Sequence, residues 1–252
     1  MTKFISFLFH KLTEDEPSEL MEVSKSLFER CLFSIKEASI PVMCLGDLVK
    51  LSYTNSYKRV ISITFDDGWD SDYKMAFPVL KEYEFRATFF IITDWINKKG
   101  YVQEGWLKEM SQSGMEIGSH TSSHRYLTRL SEDEVYKEFY DSKCRLEDML
   151  GREVTAVSIP GGEYNGKIIK LAYKAGYKII ATSKPGINLP GSTLINRISI
   201  HSRTSLTDLK KIISFSPFFI FQLKSFYLAR ALIKKTFGID GYLRLRNWFM
   251  KI

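Results

Sequence analysis

Residues 59–68 read Arg-Val-Ile-Ser-Ile-Thr-Phe-Asp-Asp-Gly. The first seven, β-branched and apolar, predict a buried strand that stops at an acidic pair. On an extended backbone, neighbouring side chains point to opposite faces. Where a strand ends, the turn can bring Asp66 and Asp67 into one pocket, one to bind a metal and the other free to act as a base. Gly68 permits the tight exit such a turn needs. The plainer alternative is an Asp-Asp-Gly surface turn, and only the rest of the chain decides between them.

Outward from this strand, helices and strands alternate. Residues 4–9 read as a strand, and Leu20 to Ala38 as a helix, with Val23, Leu27, Cys31, Phe33 and Ile35 near helical spacing. A helix over 72–84, with Pro78 as a site for a kink, leads to a strand over 87–92. Trp106 to Ser113 is a helix stopped by Gly114, and 115–120 a short strand. Ser131 and Glu134 form a capping-box pattern opening a helix through Leu150, closed by Gly151. Strands over 156–159, 177–182 and 194–200 accompany a helix over 168–175. The alternation predicts a parallel α/β arrangement. In α/β barrels chemistry gathers where strands give way to loops. The acidic pair, the segment His120-Thr121-Ser122-Ser123-His124 and the turn Pro160-Gly161-Gly162 each follow a predicted strand, as one active site would produce.

His120 and His124 lie four apart, a spacing one metal can bridge on a helical turn. They are half of the chain's four histidines. Surface histidines near a helix start are the plain alternative. With the acidic pair they offer two imidazoles and one carboxylate, a facial ligand set with open positions for water and substrate. A Zn2+-like ion there lowers the pKa of bound water towards ~7 and polarises a carbonyl, while the second aspartate takes the water's proton. Amide or ester hydrolysis follows. The ligands also suit Co2+, Mn2+, Ni2+ or Fe2+.

Thr64-Phe65-Asp66-Asp67-Gly68 and His120-Thr121-Ser122-Ser123-His124 resemble the first two signature motifs of the polysaccharide deacetylases, carbohydrate esterase family 4, the NodB-homology domain. Phe7-Leu8-Phe9-His10-Lys11 is similar to that family's opening strand, and Ala87-Thr88-Phe89-Phe90 to the strand after its first motif. The resemblance covers about residues 4–203. It implies an α/β fold, an irregular (β/α) barrel with fewer than eight complete units, and a helical C-terminal extension beside it. It also implies Asp66 as catalytic base, and Asp67, His120 and His124 as metal ligands.

The family's third motif is R-x-P-[FYW]-G, whose arginine orients the base and whose aromatic residue offers a backbone N–H to the oxyanion. Ser158-Ile159-Pro160-Gly161-Gly162 stands in its place, with Ser158 at the arginine position and Gly161 at the aromatic one. Serine cannot do an arginine's work. The N–H groups of Gly161 or Gly162 can still serve an oxyanion, and Pro160, Gly161 and Gly162 are expected on the substrate side. Arg197 is grouped with them, since from a later strand it can approach the base from elsewhere. The fourth motif's aspartate is missing from Ala181-Thr182-Ser183-Lys184-Pro185-Gly186. His201, after Ile200, resembles the fifth motif's histidine, the general acid; a strand-end histidine without a role is the alternative. Trp69 and Tyr164 are candidates to line a sugar cleft. Trp106 is another, though core packing suits it better.

The chain has 252 residues, 44% hydrophobic and 26% charged, enough for one large domain or one with an appendage. Its net charge of +7 is uneven: residues 203–252 carry ten Lys/Arg against two Asp/Glu, while the remainder is nearly balanced. The boundary is drawn after residue 203, with 204–252 a basic, aromatic-rich extension. Helices are read over 207–215 and 222–235, with Pro217 between them, a stop at Phe237-Gly238, and a last helix over 242–252. Such a tail can touch a membrane surface or pack on the barrel; nothing resembles a nucleic-acid recognition motif. No run approaches the ~18 apolar residues of a spanning helix, and Phe4 to Phe9 is too short for a signal-peptide core. Cys31, Cys44 and Cys144 are scattered, which fits a reducing compartment. The expected location is therefore cytoplasmic, or peripheral at the inner face of the membrane. The expected function is metal-dependent removal of an N-acyl group, acetyl first, from an amino sugar in a polysaccharide, oligosaccharide or lipid-linked glycan. The alternatives are a deformylase on a lipid-linked amino sugar and a sugar-binding homologue of impaired catalysis. Oligomeric state is not legible.

Overall fold

The computed structural model describes residues 2–51 and 57–249, with side chains through Ile233 and at Thr236. The chain runs β1 (Lys3–Phe9), β2 (Lys11–Thr13), β3 (Glu22–Ser24), α1 (Lys25–Glu37), α2 (Leu45–Lys50), β4 (Arg59–Phe65), α3 (Phe77–Glu82), β5 (Thr88–Ile91), α4 (Glu104–Gln112), β6 (Glu116–Ser119), α5 (Glu132–Leu150), β7 (Ala156–Ser158), α6 (Gly166–Lys174), β8 (Ile179–Ala181), β9 (Leu194–Ile195), β10 (Arg197–Ser199), α7 (Leu206–Ile213) and α8 (Pro217–Phe249). Eight strands form one parallel sheet in the order β10-β1-β4-β5-β6-β7-β8-β9, and β2 pairs with β3 apart from it. Only Asn196 separates β9 from β10, yet they lie at opposite edges, so the sheet curls into a nearly closed barrel. Asn188 bridges the seam. Its backbone exchanges two hydrogen bonds with Phe4, at 2.9 and 2.8 Å, and its side chain bonds both backbone groups of Asn196 at 2.8 Å.

Strand alternation decides what fills the barrel. Ile5, Phe7 and Phe9 of β1 and Ile61, Ile63 and Phe65 of β4 belong to the large core shared with the helices. Phe4 and Val60, on the opposite face, join Phe90, Ala156, Ile179, Ala181 and Ile195 in a second apolar cluster inside the barrel. Above this plug the inward positions turn polar: Ser6, Ser62, Thr64, Asp66, Ser158 and Arg197 are all buried. Strands covered on both faces read as continuous apolar runs, which is why residues 59–65 look as they do.

Several boundaries differ from the sequence reading for local reasons. The helix read from Leu20 starts at Lys25, because Glu22–Ser24 pairs with β2 and Ser24 caps α1 by accepting from the Leu27 N–H. Residues 72–76 form a π-helical turn before α3, and Pro78 sits in α3's first turn, where a missing N–H costs little. The capping box of Ser131 and Glu134 and the left-handed Gly151 frame α5 as read. The strand over 194–200 breaks at Asn196. In the tail, Pro217 opens a single helix that continues through Gly238; one glycine costs a helix about 1 kcal/mol, too little by itself to end it. Residues 250–252 of the last helix read from the sequence lie outside the described residues. α7 packs on α1 with Leu209, Ile212 and Ile213 buried.

Candidate active site

The site forms where β4, β6 and β7 end. The Asp66 N–H still bonds the Phe9 carbonyl of the neighbouring β1, at 3.0 Å. Asp67 and Gly68 then take left-handed backbone, φ 80° and 76°, and this turn brings the two carboxylates to one pocket. After β6, His120 bonds Ile91 at 2.8 Å. The segment that follows is not the helical turn its spacing suggested: it is a loop in which Thr121 and His124 are also left-handed, φ 64° and 61°. Such a backbone costs of order 1–3 kcal/mol per non-glycine residue and needs outside support. Glu138 of α5 supplies it. One carboxylate oxygen accepts from the Ser122 and Ser123 N–H groups, at 3.0 and 2.9 Å, and the other from the Ser123 hydroxyl.

Asp67 Oδ1 lies 3.4 Å from His120 Nε2 and 3.6 Å from His124 Nε2. The three prospective ligand atoms fall within 4.8 Å of one another, a spacing that one ion with bonds near ~2.1 Å can bridge. Two contacts aim these atoms. His120 Nδ1 lies 3.0 Å from the Ser158 carbonyl; a carbonyl only accepts, so Nδ1 carries a proton, and Nε2 is the nitrogen turned to Asp67, which would give its lone pair to an ion on losing its own proton. Trp69 Nε1 donates to Asp67 Oδ2 at 3.2 Å, leaving Oδ1 for the imidazoles. Burial disfavours charge on Asp67, but its hydrogen bond with His120 and the neighbouring imidazoles outweigh that and hold it well below the usual carboxylate range. Burial, then repulsion from His120, push His124 down to about 4, so it is neutral at pH 7. Burial alone would lower His120, but the charges of Asp66 and Asp67 reverse this and raise it, so without an ion that imidazole holds its proton more firmly than His124 does. One ionised carboxylate, Asp67, with the two imidazoles forms a donor set that fits a divalent cation.

Asp66 is clamped from behind. Arg197 Nη1 donates to Oδ1 at 2.7 Å and Nη2 to Oδ2 at 2.8 Å, while the Ser158 hydroxyl donates to Oδ2 at 2.9 Å. The guanidinium is completely buried over the Phe90 ring and is also held by the Ser158 hydroxyl, Thr64 and the Thr182 carbonyl. Burial alone would raise the Asp66 pKa; the charges of Arg197 and His120 reverse this, and it lies below the ordinary value. The arginine that the third motif lacks thus arrives from β10. It faces the carboxylate and not the substrate side on which it was grouped with the Pro160 turn. Thr182, in the segment lacking the fourth-motif aspartate, helps to seat it.

A second exchange occurs at Gly161. This residue is left-handed, φ 63°, and a Cβ added there would lie 2.5 Å from the Tyr126 ring. Tyr126, just past the second motif, fills the space beside the position where the family carries its aromatic. The N–H of Gly162 is already engaged with the Ile159 carbonyl at 3.1 Å, so Gly161 is the better oxyanion candidate of the two.

His201 is half-buried on the rim beside β1, following Ile200, which bonds Leu8. Its Nδ1 accepts from the Arg203 N–H, and burial together with Arg230 and Arg203 lowers its pKa. A histidine that the sequence reading passed over stands closer to the carboxylates electrostatically. His10 is half-buried with its Nδ1 enclosed, that atom has no hydrogen-bond partner among the described residues, and Asp67 and Asp66 are the charges that act on it most. Both oxygens of Asp72 are likewise buried and unpartnered, and burial, then Asp67 and Asp66, push this carboxyl well up. Trp69 stacks on Tyr101, with ring centroids 4.7 Å apart, and Trp95 packs between Tyr101 and His124. Trp106 instead stacks on Tyr73, on the outside of the barrel. Tyr164 follows the Pro160 turn, half-buried.

The sequence profile of the polysaccharide deacetylases matches residues 54–180, half of the chain. The chain belongs to the polysaccharide deacetylase family. A Bacillus cereus peptidoglycan-N-acetylglucosamine deacetylase is 34% identical over 127 residues, 50% of this chain and 57% of that protein. A Staphylococcus aureus poly-beta-1,6-N-acetyl-D-glucosamine N-deacetylase is 25% identical over 190 residues, 69% of this chain and 66% of that protein. Among solved structures, the Streptococcus pyogenes deacetylase PplD, in complex with acetate, superposes with a TM-score of 0.77 at 28% identity, covering 84% of this chain and 98% of the other. The chain spans about half the length of the curated relatives it matches first.

Proposed function

We propose that this deacetylase is metal-dependent and removes an N-acetyl group from an amino sugar within a glycan. The observation that carries the reading is the juxtaposition of a clamped, ionised Asp66 with the Asp67, His120 and His124 donor cluster. Those three residues would hold the ion, and zinc suits them. When bound, the ion would acidify a water and polarise the acyl carbonyl.

The chain's own groups do the rest. Asp66 uses three of its roughly four lone-pair positions on Arg197 and Ser158, which leaves one for the attacking water. The bidentate fork fixes the plane of the carboxylate, so the base is oriented before the substrate arrives. Asp66 accepts the water's proton, and the Gly161 N–H is the proposed donor to the oxygen on which charge develops. His201 is the proposed donor to the departing amine. Its Nδ1 accepts from Arg203, so the neutral ring carries its proton on Nε2. The Trp69, Tyr101 and Trp95 rings give apolar faces for a sugar. Relatives named for acetylated amino-sugar polymers, and the acetate held by PplD, favour acetyl over formyl.

The test is acetate release from acetylated and formylated amino-sugar oligomers. Chelator should abolish the activity, and stoichiometric Zn2+ or Co2+ should restore it. Turnover that survives complete removal of metal would reject the reading.

A further inference from the structure

Helix α8 has two apolar faces. Ile220, Leu223 and Tyr227 lie against the barrel, with Ile220 only 3% exposed. On the opposite side Phe218, Phe221, Ser225, Leu228 and Leu232 follow a spacing of three and four residues, which aligns them along one stripe. The four apolar members are 60–70% exposed, and Phe226 nearby is 65% exposed. Lys224 is exposed on one flank, Arg230 continues the row of Ile220, Leu223 and Tyr227, and residues 203–252 carry ten cations against two anions, whereas the rest of the chain is nearly neutral. Ordinary packing on the barrel leaves this stripe unexplained, because the packed face is the other one.

We infer that α8 docks its open stripe on an anionic lipid surface. Apolar side chains on one face with cations on its flanks are what an interfacial helix presents to headgroups and the upper acyl region. Lying in the surface suits this element better than crossing it. Among the described residues no single helix is long and apolar enough to span, and α7 and Pro217–Ile233 meet that measure only as a pair bent by 112°. The packed face of the helix carries Tyr227 and Arg230 toward the segments of Tyr164 and His201, so a docked α8 keeps those segments close to the surface it lies on. Resting on the deacetylase reading, this makes a glycan tethered to a lipid anchor the substrate class favoured by location.

The test is co-sedimentation of the full chain with vesicles of phosphatidylcholine, with and without ~30% phosphatidylglycerol, at low and high salt, a comparison set by screening. The full chain should sediment with the anionic vesicles and be released by salt. The variant Phe218→Ser/Phe221→Ser/Leu228→Ser/Leu232→Ser should lose binding by about tenfold or more, with an unchanged melting temperature and unchanged acetate release from a soluble oligomer. Wild-type protein that stays in the supernatant, or a folded variant that sediments equally, overturns the inference. So does a wild-type dimer in light scattering that the variant dissolves while vesicles bind neither, since a second copy then covers the stripe. Sedimentation needs no turnover, so its result is independent of the proposed chemistry.

Discussion

Arg197→Met removes the clamp on Asp66 while keeping a side chain of similar length. The wild-type guanidinium makes charge-assisted contacts of 2.7 and 2.8 Å to a carboxylate that is 3% exposed. Removing one partner of such a buried pair costs about 3–5 kcal/mol, because the other charge is stranded. For a chain of this size, at about 2–4 °C per kcal/mol, the melting temperature should fall by roughly 6–20 °C. The pH dependence carries a sign. With Arg197 present, the folded pKa of Asp66 is depressed, so the stability it contributes is complete above the unfolded value near ~4 and is lost as pH falls through the folded value. Without Arg197, burial dominates and the folded pKa rises above ~4. The variant then loses stability as pH rises, and its deficit relative to wild type widens between about pH 4 and 7. A protonated Asp66 is no base, so the acid limb of kcat/KM should move to higher pH, with partial recovery in alkaline buffer. Adding Ser158→Arg to Arg197→Met returns a guanidinium to the family's usual position and should regain part of both losses. Melting curves from pH 4 to 8 and a pH–rate profile check this. A melting temperature within about 2 °C of wild type, together with an unshifted acid limb, would refute the reasoning.

Other expectations follow from single contacts. Gly161→Ala meets Tyr126 at 2.5 Å in a left-handed backbone, so it should lose about 1–3 kcal/mol; Tyr126→Ala in the same chain should return the steric part, and additivity in that double-mutant cycle would contradict the packing account. Asp72, with its pKa raised by burial, weakens the metal-free fold as pH climbs from about 4 through its folded value. Asp72→Asn should flatten that slope in urea unfolding at pH 4–8, and an unchanged slope would count against it. His201→Gln should lower kcat by about 10²–10⁴-fold at unchanged metal content if this imidazole delivers the leaving-group proton; a variant as fast as wild type removes His201 from the mechanism.

The barrel was legible because its strands are buried on both faces, and residues 59–65 announce this without any partner. Local chemistry was legible too: the capping box of Ser131 and Glu134 and the left-handed Gly151 rest on contacts a few residues apart. Contacts across the barrel were harder to see. Arg197 reaches Asp66 across 131 positions, and only strand order brings β10 beside β1. Glu138 looked like any residue of a charged helix until α5 packed beneath the histidine loop. Tyr126 and Gly161 are adjacent only through the fold. His10 stood within a segment already recognised as an opening strand, and its position at the strand's end was the available signal. Gly238 misled in the other direction, since a residue that closes helices elsewhere lies within α8.

The most direct test of the account is the exchange Asp66→Asn, measured as bound metal and acetate release on the same preparations. Asparagine keeps the shape and the Ser158 and Arg197 contacts in part, and leaves Asp67, His120 and His124 in place. The account predicts one divalent ion per chain in both proteins, with acetate released from an acetylated amino-sugar oligomer by the wild type alone. Equal release by the metal-loaded variant, or none by a metal-loaded wild type on any acetylated amino sugar, would contradict it.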